Sequence, residues 1–405
     1  MYGKMLLASA LSAAALFLQG CSRVPPKVRI DGVDVGGMRY EQAERAVRER
    51  WNGEIPTLTL RGRGTYTFSA PEIGYTDELY ELVRRVGPGE YDGGVAFYLK
   101  GCASVLCRIA AEERVAPQDA SVSFSKDGFC YEADRSGRRV DEARLSLDVT
   151  AALRTRSDAT VDIPFVEERA ERTEEDVRRD TACLASFSTV YDPNAEGRAH
   201  NIRLACGKID GTTLAPHASF SFNAAVGRRT AENGFREAKV ISDGKFVSGV
   251  GGGVCQVSTT LYNCALLSGM KVTESSAHSL QVGYVPPSFD AMVSDTSDLR
   301  FDNPYDMPVY LACKASDGKL IVTVYGRSDG MRYECESVIR RTIAPPEPKI
   351  VEGEEEKVLR AAKEGLVSEG YLRVYRGDVL LERRKLRADS YLPVQEIRQK
   401  PMQSD

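Results

Sequence analysis

Apolar positions are spaced in several ways along this chain, and each spacing predicts a different element. Met5 to Leu18 is almost uninterrupted apolar sequence behind Lys4, too short to span a bilayer and patterned like an export signal. Val28 to Val35 alternates apolar and polar residues as a strand does, and after Gly36-Gly37 the period lengthens to that of a helix over Tyr40 to Trp51. Short strands are expected at Leu58 to Leu60 and Tyr66 to Phe68, and a second helix near Asp77 to Val86. A related plan recurs from Ala116 to Val166, with a strand at Ala120 to Phe124, a turn at Gly137, a helix over Asp141 to Leu153 and a strand at Thr160 to Phe165. A charged helix over Thr173 to Thr181 leads into Leu184 to Gly326, a region of strands and turns rich in glycine, serine and asparagine. Pro345-Pro346 and the acidic run Glu352 to Glu356 read as a solvated linker, followed by strand-like stretches at Leu372 to Tyr375 and Val379 to Leu381.

The expected fold class is therefore α+β, with a β-rich domain of catalytic type built around one central helix and preceded by small α+β modules. The boundaries that follow are 1–20 for the signal, 27–112 and 113–170 for two modules, 184–327 for the main domain, and 345–405 for a linker and small β-rich C-terminal segment.

Composition narrows the setting. Leu18-Gln19-Gly20-Cys21 resembles the lipobox of bacterial lipoproteins, although Gln19 is a less usual occupant, so Cys21 is the expected lipidation site. An ordinary secreted protein cut near the same place is the alternative. Either reading puts the folded part outside the cytoplasm, and the first tethers it by lipid to the outer face of the cytoplasmic membrane. Charged residues make up 28% of the chain with a net charge of −4, and the two signs are interleaved, which argues against nucleic acid as a partner. Setting aside Cys21 and Cys255, the ten cysteines leave eight, an even number compatible with disulfides in an exported protein. None has CxxC spacing and the three histidines are scattered, so neither a structural zinc site nor a cofactor is expected.

The densest chemical signal is Gly249-Val250-Gly251-Gly252-Gly253-Val254-Cys255-Gln256-Val257-Ser258-Thr259-Thr260-Leu261-Tyr262-Asn263. From Gln256 onward, Val257, Leu261, Cys264, Ala265 and Ser268 share one helical face and Gly269 is placed to stop the helix, so Cys255 falls at the helix N-terminus. There the helix dipole and free N–H groups favour thiolate over thiol. The glycines leave room for a substrate carbonyl, and their amides are free to bind an oxyanion, with Gly252, Gly253 and Gln256 nearest. A phosphate loop has the same outline, but the lysine and hydroxyl residue it requires after the glycines are absent. A packing cysteine beside a tight turn stays open.

His278 shares the parity of Leu280, Val282 and Tyr284 in a predicted strand, which points it inward and makes it the candidate base for Cys255; a satisfied core histidine is the alternative. His200 and His217 sit in predicted turns and receive no role. Arg198, read as lying in a surface turn with His200 and Asn201, has the donor fork to bind a substrate carboxylate.

From Phe187 to Gly326 the order of phrases resembles the VanW family. They run as Phe187-Ser188-Thr189, Arg198 with Asn201-Ile202, Ile209-Asp210-Gly211, Phe220-Ser221-Phe222-Asn223, Val226-Gly227, the cysteine loop, His278-Ser279, Tyr284-Val285-Pro286, Asp290-Ala291, Asp298-Leu299 and Asn303-Pro304. The resemblance implies a cell-wall protein, and for some members L,D-transpeptidation: Cys255 is acylated by a peptidoglycan stem peptide and passes the acyl group to an amine, or to water as a carboxypeptidase. A wall-binding or scaffolding lipoprotein without catalysis is the second implication. Residues 113–170 resemble the small peptidoglycan-binding module found before such domains, and the C-terminal segment the β-module that trails them. Asp290, in preference to Asp298, is the acid expected to orient His278, with turn-forming aspartates as the alternative for both, while Asn201, Ser258 and Tyr262 join Arg198 as candidate substrate contacts. Two departures stand out: His217-Ala218 stands where the family tends to have glycine and glutamate, and Pro287-Ser288-Phe289 precedes Asp290 where a glycine is more usual.

Overall fold

The computed structural model describes residues 22–50, 57–69, 72, 79–91, 102–153, 157–242 and 245–401. The expected signal, Cys21, Trp51 and Asp77 lie outside these residues. Chain order and spatial grouping part company at one place: Ala120–Asp134 belongs with the chain from Arg172 onward, whereas Arg135–Glu171 belongs with the described residues before Ala120.

The first of these two units is α+β and holds two cores. In one, strands Val33–Asp34, Val28–Ile30 and Gly89–Tyr91 form a sheet against helices Tyr40–Arg50 and Leu79–Arg85, burying Val28, Ile30, Val47 and Val83. In the other, strands Thr65–Ser69, Thr57–Arg61 and Ala159–Asp162 line up in that order, and helices Cys102–Glu113 and Glu142–Leu153 supply Ile109, Leu145, Val149 and Leu153 to the same core. The parallel pairing of Thr57–Arg61 with Ala159–Asp162 crosses the module boundary expected after residue 112, which periodicity alone cannot show because it reports an element's face and not its partner. Gly137 begins the strand Gly137–Val140 and makes no turn; a Cβ there would lie 2.2 Å from the Val115 carbonyl oxygen, so the glycine permits close backbone approach. The strand expected over Thr160 to Phe165 is broken into Ala159–Asp162 and Phe165–Glu168 around Pro164, which has no N–H to give a ladder.

The second unit is organised by an antiparallel sheet of Ala182–Val190, Lys319–Gly326, Val309–Ser316 and Thr212–Leu214, in that order. Alternation sorts its two faces. Leu320, Val322 and Val324 join Leu311 beneath two helices, Glu196–Ile209 and Val254–Leu267. The opposite parity carries Tyr310 and Tyr325, which receive Phe129 edge-on from the hairpin Ser121–Ser125 and Gly128–Glu132 at centroid distances of 5.1 and 5.2 Å. Two long helices thus replace the single central helix expected, and Arg198, His200 and Asn201 lie on the first of them rather than in a surface turn. Gly197 lets that helix pass the Glu237 carbonyl, which would stand 2.3 Å from a Cβ.

Helix Val254–Leu267 is buried along nearly its whole length, and its end follows from Gly269: φ is +74°, Met270 N–H reaches Ala265 O at 2.9 Å and Gly269 N–H reaches Leu266 O at 3.2 Å, a Schellman closure. The C-terminal segment is β-rich as expected, but its strands are longer and begin before residue 345. Three long antiparallel strands, Met331–Ile343, Gly365–Arg376 and Val379–Tyr391, form a sheet whose Leu372 enters the same core as Leu261 and Val322. Part of the expected linker, Lys349–Gly353, pairs in parallel with Ile397–Pro401. Among the described residues no helix is long and apolar enough to cross a membrane.

Candidate active site

The glycine loop is glycine because other chain lies against it. Gly251 and Gly253 have φ of +90° and +104°, in the left-handed region that favours glycine, and Gly253 caps the helix that begins at Val254. A Cβ on Gly251 would meet the Arg229 stem at 2.9 Å, one on Gly252 the Lys239 carbonyl at 2.6 Å, and one on Gly253 the Arg198 stem at 2.9 Å. The loop is therefore packed between two arginines, not simply kept clear for substrate. The amides of Gly252, Gly253 and Cys255 have no acceptor among the described residues, which leaves them available to an incoming oxyanion.

Asn201 sets the loop's height. Its amide donates to Arg236 O at 2.8 Å and Gly252 O at 3.0 Å, and its oxygen accepts from Arg236 N–H at 2.8 Å. Fully buried with these bonds made, it supports the loop from below instead of touching substrate. Replacing it with alanine strands three backbone groups; Asn201→Ala is expected to cost about 2–4 kcal/mol of stability, seen as a lower urea midpoint, and an unchanged midpoint would refute this account. Gln256 is likewise an anchor, donating to Val190 O at 2.8 Å and Thr189 Oγ1 at 3.0 Å while accepting from Arg198 Nη2 at 2.8 Å.

Cys255, in the first turn, is half-buried, with its thiol 3.5 Å from Val293 O and hydrogen-bonded to His278. The strand expected around His278 does not form: residues 277–291 run as irregular chain, in which the amides of His278, Ser288 and Ala291 find side-chain acceptors. His278 is nonetheless buried as its parity implied. Both its backbone N–H and Nδ1 bond Asp290 Oδ2 at 2.7 Å, which leaves Nε2 for the sulfur. Asp298 is elsewhere, accepting from Ser221 Oγ at 2.5 Å and Asn223 N–H at 2.9 Å at the start of the short helix Phe222–Val226.

The electrostatics match a charged pair. Burial alone pushes the Cys255 thiol up, but the hydrogen bond and charge of His278 more than offset this and hold it below its ordinary value. Burial pulls the His278 imidazole down, and bonds to Asp290 and Cys255 overcome that to raise it to about 9. Burial also opposes ionisation of Asp290, yet its bonds to His278 and then Tyr391 keep it below the usual carboxylate range. Cys264, on the same helix, is the contrast: with no such partner, burial drives its thiol up to about 12.

The far side of Asp290 is held by residues the sequence reading did not reach. Tyr391 donates to Oδ1 at 2.6 Å, and Arg387 Nη2 reaches Oδ1 at 3.1 Å and the Asp290 carbonyl at 2.5 Å. Their signal was only that of alternating strand residues a hundred positions away.

Above the sulfur opens a cleft of about 740 Å³. Among the described residues, Arg198, Arg228, Arg229, Lys239 and Lys363 contribute to its lining, against one acid, Asp295. Of the other expected substrate contacts, Ser258 is buried with its hydroxyl on Ala291 O at 2.6 Å, and Tyr262 is buried with Arg387 5.4 Å from its ring centre. Both brace the site from inside. His200 bonds Gly234 O at 2.9 Å and His217 Asp306 at 3.0 Å, away from the cleft lining. His217 has φ of +57° and, within the second departing stretch, Ser288 has φ of +66°, so each departure includes a left-handed position occupied by a side chain. Cys107, Cys130, Cys183, Cys206, Cys255, Cys264, Cys313 and Cys335 are free thiols.

A family profile, "VanW like protein", matches residues 197–325, the stretch that holds Cys255, His278 and Asp290. Residues 197–325 are a VanW-like domain. "Uncharacterized protein YoaR" of Bacillus subtilis is 39% identical over 146 residues, 36% of this chain and 48% of its own. "Vancomycin B-type resistance protein VanW" of Enterococcus faecalis is 26% identical over 145 residues, 34% of this chain and 52% of its own. This chain thus spans about half the length of these curated relatives. A solved structure, HP0197-G5, covers 17% of this chain and 96% of its own at 16% identity, with a TM-score of 0.11, too low to bear on the fold.

Proposed function

We propose that this VanW-like chain is a cell-surface cysteine acyltransferase of peptidoglycan, acting as an L,D-transpeptidase through Cys255. The observation that carries the reading is the Cys255–His278–Asp290 array at a cleft whose described lining residues include five cations and one acid. A stem peptide carries several carboxylates, and such a lining attracts them. In the reaction, the Cys255 thiolate attacks the carbonyl before the terminal D-alanine, and a thioester forms as the C–N bond breaks. The leaving amine takes its proton from His278. An amine of a neighbouring stem then attacks the thioester and gives a proton to His278, which restores the thiolate; water in its place gives a carboxylic acid. The amides of Gly252, Gly253 and Cys255 offer donors to the oxyanion of each step. Cys21 would carry the lipid that keeps this chemistry at the wall.

Incubating the protein with a tetrapeptide stem and reading its intact mass tests the proposal. An adduct on Cys255 lacking the mass of one D-alanine supports it. No adduct, together with retention on isolated sacculi, would instead favour a wall-binding lipoprotein.

A further inference from the structure

The VanW match ends at residue 325, and the three-stranded sheet that holds Asp290 begins at Met331. We propose that this C-terminal sheet is an integral part of the active site, with Tyr391 and Arg387 as positioning residues that hold Asp290 in line with His278. The proposal rests on the Cys255–His278 reading above.

A carboxylate offers about four acceptor positions. Those of Asp290 are taken by the His278 amide and Nδ1 on Oδ2, and by Tyr391 and Arg387 on Oδ1, so turning the carboxylate breaks bonds on both sides. Tyr391 is itself oriented, because Ser288 N–H donates to its hydroxyl at 2.7 Å and directs the hydroxyl proton to Asp290. Ser288, at its left-handed φ, is fixed by the Ser368 hydroxyl at 2.7 Å. The irregular chain bearing His278 and Asp290 is pinned to the sheet and its continuation at further points: Leu392 N–H to Ser279 O at 2.8 Å, Ser337 Oγ to Pro287 O at 2.8 Å and Lys363 Nζ to Gln281 O at 3.2 Å. A chain with no strand ladder of its own takes its order from these contacts.

The charged and titratable groups facing this array are few. Asp290 meets His278, Arg387 and Tyr391; Arg387 also meets Asp389 at 2.8 Å and the Tyr262 ring; Cys255 feels His278 and Arg229, and Tyr284 lies beside them. If Asp290 drifts, His278 loses its orientation and burial is left to push the Cys255 thiol up.

The test is iodoacetamide alkylation of the full chain across pH, read at the Cys255 peptide by mass spectrometry because Cys107, Cys130 and Cys183 are exposed. Tyr391→Phe, which keeps the ring, and Arg387→Gln are expected to move the Cys255 midpoint up by about one unit, slowing labelling about tenfold at pH values below both midpoints. Arg387→Lys should restore part of the shift, and Tyr375→Phe on the same sheet should cause none. A Tyr391→Phe protein that melts like the wild type and keeps its midpoint overturns the proposal while leaving the Cys255–His278 reading intact. Should Tyr391→Phe fail to fold, the Gln and Lys variants of Arg387 decide by the same measure. A wild-type midpoint at the ordinary thiol value overturns both readings.

Discussion

Cys255→Ala is expected to abolish acyl transfer, lowering turnover of a stem peptide by about 10⁴-fold or more, while the protein stays folded. The two halves of this expectation have separate grounds. Chemistry is lost because among the described residues no second thiol lines the cleft: Cys264 shares the helix of Cys255 but faces the main sheet, 3.3 Å from Val322 O, with its thiol driven up to about 12. Fold is kept because Cys255 is only half-buried and the loop before it is supported by Asn201 and Gln256, not by the sulfur. Cys264→Ala reverses the pattern. It leaves a void in a fully buried position and should cost about 1–3 kcal/mol with Cys255 labelling retained. The decisive comparison is turnover and melting temperature for the two variants side by side. If Cys255→Ala turns over substrate at the wild-type rate, the thiol is a packing residue and the acyltransfer proposal falls.

What could be read from sequence was whatever is written within a few turns of chain. The glycine run, the apolar face of Val257, Leu261, Cys264 and Ala265, and the stop at Gly269 lie within twenty-one residues, and a helix formed there, starting at Val254 and not at the Gln256 expected. His278 was read correctly as inward but for a partly mistaken reason. The parity was that of a strand, whereas burial comes from its two bonds to Asp290 and the chain's attachment to a distant sheet. Asn201, Ser258 and Tyr262 looked like substrate contacts because polar residues near a nucleophile invite that role. Their partners are backbone groups or core residues, which a linear pattern does not reveal. The support of Asp290 by Tyr391 spans 101 positions, and the hairpin Ser121–Ser125 with Gly128–Glu132 joins a sheet that begins only at Ala182. Such long-range pairings carry no local signature, since alternation marks a strand as half-buried without naming what buries it.

The second large effect is that of His278→Gln, which keeps a similar volume and removes the charge. Turnover is expected to fall about 10²–10⁴-fold through loss of the acid and base. The pH dependence distinguishes this from simple distortion. With His278 raised to about 9 and Cys255 below its ordinary value, the pair is ionised between the Cys255 midpoint and about pH 9. Labelling of Cys255 in the wild type should therefore rise through a midpoint below the ordinary thiol value of 9.0. In the Gln variant, burial is no longer countered by the imidazolium, and the midpoint should move to or above the ordinary thiol value of 9.0. Stability has a matching sign. An imidazole raised from 6.5 to about 9 contributes stability that is fully present below pH 6.5 and lost as pH rises through 9. The wild type should therefore lose its advantage over His278→Gln in melting temperature across that window. A variant whose labelling midpoint matches the wild type would show that the helix terminus and Arg229 alone make the thiolate, and would reduce His278 to a core residue.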